Sequence, residues 1–157
     1  MKVKVIGIGN VLASDDAIGI YVARELQKVK LPENIEVIAA ESPGPSMMEL
    51  IAGAEKVILI DAARGAGSPG KVHRLLLDDL QAGRCRLSSL HEINLLDIFR
   101  IGQITQPNTF PKELVILGIE VADTTRYKQC LSEAVRDAIP SVISAVLTEI
   151  SSGCAAI

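Results

Sequence analysis

The chain alternates short runs rich in β-branched residues with segments whose apolar residues recur at helical spacing. Val3-Lys4-Val5-Ile6 predicts an opening strand, and Gly7-Ile8-Gly9-Asn10 a turn after it. A helix is expected from about Asp16, because Ile18, Val22, Leu26 and Val29 share one face. Ser14 or Asp15 would cap it, and Leu31-Pro32 would stop it. Ile35 to Ile38 reads as a second strand, Ser42-Pro43-Gly44-Pro45 as a loop, and Met47 to Ala52 as a short helix. Lys56-Val57-Ile58-Leu59-Ile60 suits the buried centre of a parallel sheet, with Asp61 ending it.

Gly65 to Gly70 reads as a loop, and Val72 to Leu77 as a strand that would lie antiparallel at an edge. Ser89-Leu90-His91-Glu92 matches a capping box and would start a helix burying Leu95, Leu96 and Phe99. Glu113 to Ile119 is the last expected strand. From Thr125 onward a helix is marked by Leu131, Val135 and Ala138. Pro140 would kink it or open a second segment carrying Val142, Ile143, Val146 and Ile150. The alternation predicts a single α/β domain over residues 1–157. Its expected core is an open, mostly parallel twisted sheet of about five strands with helices on both faces.

Composition narrows the function. The chain has 157 residues, 48% hydrophobic, with a net charge of −3. Disorder is excluded by that apolar content. Nucleic-acid binding is disfavoured, because there is no basic excess and only four aromatic residues are available for stacking. The apolar runs are too short to span a membrane. The amino terminus lacks a cleavage pattern, and Cys85, Cys130 and Cys154 form no C-x-x-C pair, which together point to a cytoplasmic protein with reduced thiols. A monomer is the expected state.

Open parallel sheets bind ligands beyond the carboxyl ends of their strands. That rule singles out Asp15 and Asp16 after the first strand, Asp61 on the central one, Glu120 on the last, and His91 at a helix start. A dinucleotide site at Gly7-Ile8-Gly9 would need a third glycine where Leu12 stands, and the acidic pair would repel a pyrophosphate. Two carboxylates and one imidazole instead suit a borderline divalent ion such as Ni²⁺ or Zn²⁺. A helix N-terminus favours the neutral, ligating form of His91. Asp15 is expected to serve as a helix-dipole partner, and His73 to be structural or exposed.

Taken together, these residues resemble the hydrogenase maturation endopeptidases, which trim the C-terminus of [NiFe]-hydrogenase large subunits. The resemblance runs through Gly7-Ile8-Gly9-Asn10-Val11-Leu12, Asp15-Asp16-Ala17-Ile18-Gly19, Ile60-Asp61-Ala62, Ser89-Leu90-His91-Glu92 and Leu117-Gly118-Ile119-Glu120. Ala17 departs from the glycine of many members, and Glu41-Ser42-Pro43-Gly44 departs from their glycine-rich turn. The resemblance implies that Asp16, Asp61 and His91 are the catalytic and nickel-recognising residues. It also implies that nickel arrives on the substrate, the large-subunit precursor, which is the expected partner. A resident catalytic metal and a carboxylate general base are alternative routes to the same hydrolysis. Two other functions stay open: a maturation factor that binds nickel or precursor without cutting, and a small-ligand or nucleotide-binding module using the Gly7–Gly9 turn.

Overall fold

A computed structural model describes residues 1–41, 44–65, 67–88, 95–125 and 127–152. The elements run β1 (Val3–Gly9), α1 (Ile18–Leu26), β2 (Ile35–Glu41), α2 (Met47–Ile51), β3 (Lys56–Arg64), β4 (Val72–Leu75), α3 (Leu77–Gln81), β5 (Arg86–Leu87), α4 (Leu95–Thr105), β6 (Glu113–Glu120) and α5 (Glu133–Ser152). The sheet has six strands in the order β2-β1-β3-β6-β4, with β5 paired to β3 off that path. Strands β2, β1, β3 and β6 are mutually parallel. The edge strand β4 is antiparallel to β6, as expected, and the two-residue β5 is antiparallel to β3.

Alternation along the central strands sorts their side chains into two cores. Val5, Ile58, Ile60, Val115 and Leu117 pack with Ile18, Val22 and Leu26 of α1 and with Val135, Val142 and Val146 of α5. Ile6, Ile8, Leu59 and Ile116 pack on the opposite face, with Met47 and Ile51 of α2 and Leu95 and Phe99 of α4. Helices therefore cover both faces, as the alternating pattern requires.

Several boundaries differ from the expectation, each for a local reason. Gly7, Ile8 and Gly9 continue β1, because all three pair in register with β2. The glycines there serve a close crossing. A Cβ on Gly9 would stand 2.1 Å from the Asp16 carbonyl oxygen, and one on Gly19 2.2 Å from that of Ile8. Strand β3 likewise continues past Asp61, since β6 pairs with it as far as Ala63 and β5 adds partners at Ala63 and Arg64. Helix α1 begins at Ile18, after a 3₁₀ turn over Ser14–Ala17, and neither Ser14 nor Asp15 caps it. It ends at Leu26, which leaves Val29 exposed.

Residues Leu76 and Leu77 leave β4 for the short helix α3, in which the Asp79 carboxylate accepts the Leu76 N–H at 2.9 Å. Helix α5 starts at Glu133, later than Thr125, and runs through Pro140 as one helix. The predicted capping box at 89–92 lies outside the described residues.

One buried ionic cluster ties α5 to the sheet. Lys56, 1% exposed, places its ammonium 2.9 Å from Glu113 and 3.2 Å from Glu149, and donates to the Glu149 carbonyl at 3.0 Å. Arg74 of β4 binds the same Glu149 carboxylate through Nε and Nη2. That hydrogen bonding, chiefly from Arg74, holds the Glu149 carboxyl below its ordinary pKa against the opposing effect of burial.

Candidate active site

The chain passes from β1 to β2 on one side, then returns to β3 on the other, so the strand order reverses between β1 and β3. In an open α/β sheet this switch point leaves a crevice at the carboxyl ends of the two strands. Asp16 follows β1 at that crevice, and Asp61 stands on β3, three residues before its end.

The crevice holds a cavity of about 350 Å³ lined by Asn10, Leu12, Ala13, Asp16, Ser88, Thr124 and Tyr127. Its first wall is the β1–α1 connection. There the Asn10 Oδ1 accepts the Leu12 N–H at 2.9 Å, and the Asn10 carbonyl accepts that of Ala13 at 3.1 Å. The second wall is the segment after β6, which carries Thr124 and Tyr127. Ser88 closes the third side, where its N–H donates to the Ala62 carbonyl at 2.8 Å, next to Asp61.

The adjacent aspartates have different jobs. Asp15 is fully buried, and its carboxylate accepts four hydrogen bonds. They come from the Ala122 N–H (2.9 Å), the Asp123 N–H (2.8 Å), the Ser132 N–H (2.6 Å) and the Ser132 hydroxyl (2.8 Å). Asp15 is thus a clamp that fixes the second wall, a larger task than the helix-dipole role expected of it. The clamp is reinforced by Ser14, whose N–H donates to the Lys128 carbonyl and whose hydroxyl donates to that of Cys130. Asp16, only half-buried, lines the cavity.

Asp61 is fully buried within β3, and its Oδ1 accepts the Ala62 N–H at 2.8 Å. Alternation puts it on the α2 and α4 side of the sheet, between Leu59 and Ala63 of that core. His91, the third expected member, lies outside the described residues. Among the described residues, no three His, Cys, Asp or Glu side chains gather as a metal-holding group.

Glu120 was a candidate from topology alone, and the structure gives it a local partner set. It accepts the Gly65 N–H and sits 2.8 Å from His73 Nε2, so His73 is engaged in holding the loop after β3. Cys85 is buried, and its thiol donates to the Arg64 carbonyl at 3.6 Å. Burial, with the nearby negative charge of Glu120 and then Asp61, pushes its pKa up, which makes it a poor nucleophile. Sequence reasoning missed Asn10, Leu12, Ser88, Thr124 and Tyr127 as cavity walls. Only Asn10 and Leu12 carried a signal, as part of the first glycine-containing block.

A doubly covered, mostly parallel α/β sheet with a cavity at its switch point, lined in part by Asp16, defines the class of fold. The comparisons give the class a family. Residues 20–149 match the family described as "HycI: Hydrogenase maturation protease". The chain is 28% identical over 121 residues to the Escherichia coli hydrogenase 2 maturation protease, covering 76% of this chain and 73% of that one. Its fold is that of the hydrogenase maturating endopeptidase HybD from E. coli, with a TM-score of 0.83 at 24% identity over 98% of this chain and 94% of that one. A hydrogenase 2 maturation peptidase from a Thaumarchaeota archaeon is similar as well, with a TM-score of 0.69 at 25% identity over 96% and 99%. The chain belongs to the hydrogenase maturation protease family, and it is a peptidase.

Proposed function

We propose that this peptidase removes the C-terminal extension of a nickel-loaded [NiFe]-hydrogenase large-subunit precursor, and that Asp16, Asp61 and His91 recognise the nickel. The observation that carries the reading is the position of Asp16 in the switch-point cavity, with Asp61 on the neighbouring strand. The donor set suits the cargo. Two carboxylates and an imidazole match a borderline divalent ion already held in part by its own protein.

In the reaction, water adds to the scissile carbonyl carbon, the C–N bond breaks, and the leaving amine takes a proton. The protein's part is orientation. A precursor anchored through its nickel presents one peptide bond to the cavity, which converts encounter into a positioned, near-unimolecular step. Cys85 is unsuited to attack, and His73 is committed to Glu120. These observations argue against a Cys85 thiolate as nucleophile and against His73 as its base.

Asp16→Asn should abolish processing of the nickel-loaded precursor while far-UV circular dichroism and the unfolding midpoint stay near wild type. Normal processing by that variant would overturn the site assignment.

A further inference from the structure

Tyr127 is 88% exposed and carries φ +64°, in the left-handed region that residues with a Cβ rarely occupy. Its side chain makes no hydrogen bond among the described residues. It nevertheless lines the Asp16 cavity together with Leu12, itself 42% exposed, and the two segments are neighbours, paired at the Ala13–Lys128 bridge. The other residue with a Cβ in this conformation, Ser14, has a visible local reason, since its hydroxyl bonds the Cys130 carbonyl at 2.7 Å. Tyr127 has no such compensation of its own. Its backbone is imposed from outside, by the Asp15 clamp on Ala122, Asp123 and Ser132 and by Lys128, whose N–H donates to the Leu12 carbonyl at 3.1 Å. A strained residue that projects an aromatic ring into water at a cavity mouth is a feature of ligand clamps.

We propose that Tyr127 and Leu12 form an apolar grip for an uncharged apolar side chain of the precursor peptide beside the bond to be cut. The inference rests on the peptidase reading of the same cavity. Asn10, Ser88 and Thr124 offer hydrogen-bonding groups along its walls, as an extended peptide backbone needs, while Asp16 disfavours an acidic residue there. The two exposed apolar side chains gain by covering an apolar residue of the substrate and exclude water from the adjoining carboxylate.

The test compares wild type, Tyr127→Gly and Tyr127→Phe in steady-state processing of the nickel-loaded large-subunit precursor, with thermal unfolding of each. Glycine accepts φ +64° without strain, so Tyr127→Gly should unfold no earlier than wild type. Its KM should rise about tenfold, the usual scale for truncating an aromatic anchor, with kcat within about twofold. Tyr127→Phe should keep the wild-type KM. An unchanged KM in Tyr127→Gly, or a loss confined to kcat, would overturn the grip while leaving the peptidase reading intact. A wild-type protein that leaves the precursor uncut would overturn both.

Discussion

Replacing Asp15 with asparagine exchanges one oxygen of a carboxylate that four donors share. Its Oδ2 accepts from the Ala122 and Asp123 N–H groups and the Ser132 hydroxyl, and its Oδ1 accepts from the Ser132 N–H. An amide oxygen placed at Oδ2 keeps the first set, but the amide NH₂ then faces the Ser132 N–H, donor against donor. Stranding that part-buried donor costs about 1–3 kcal/mol. The surviving bonds also lose their charge assistance, roughly 1 kcal/mol each. Burying a neutral side chain is cheaper than burying an ion, which offsets part of this. The expected net loss is about 2–4 kcal/mol.

Urea unfolding reads that loss directly, and amide exchange locates it. The Ala122, Asp123 and Ser132 amides should lose protection relative to the central strands. Asp16→Asn, at the next position, should stay within about 1 kcal/mol of wild type. A loss under about 0.5 kcal/mol for Asp15→Asn, or unchanged exchange at those amides, would refute the clamp.

Glu149→Gln should cost about 3 kcal/mol at pH 7, near the low end for stripping a partner from a buried pair, because Lys56 keeps Glu113. The native carboxyl titrates below the ordinary value of 4.5, so its contribution is fully present above pH 4.5 and lost as pH falls through the depressed native pKa. The unfolding midpoint of the variant should therefore fall less steeply than that of wild type below pH 4.5; parallel acid curves would contradict the pairing. Gly19→Ala places a methyl carbon 2.2 Å from the Ile8 carbonyl oxygen and 2.4 Å from that of Ile60. Both contacts are backbone, so α1 must move off the sheet, at a cost of about 3 kcal/mol or more; a thermal midpoint within 2–3 °C of wild type, roughly 1 kcal/mol for this size, would show that the crossing is looser.

The layered architecture was legible because period-2 and period-3.6 patterns report directly on which faces are buried. The crevice was legible through topology: a strand-end rule pointed to Asp16, which lines the cavity, whereas Asp61 is buried within β3 and is not among the lining residues. Chain ends of elements were less so. Gly7 and Gly9 look like turn residues until the helix they admit is in place, because the sequence does not reveal that a backbone crosses there. Long-range partners were equally hidden. Nothing local distinguishes Asp15 from Asp16, yet one binds a segment more than a hundred residues away and the other faces the cavity. Tyr127 sits in a polar stretch with no periodicity, and its importance lies in a backbone angle that tertiary contacts impose.

The most direct test of the account is the intact mass of a large-subunit precursor incubated with the protein, with and without nickel loading. The account predicts loss of a C-terminal peptide from the nickel-loaded precursor alone, with wild type and not with Asp16→Asn. An unchanged mass in the presence of folded wild-type protein would contradict it, as would equal trimming by Asp16→Asn.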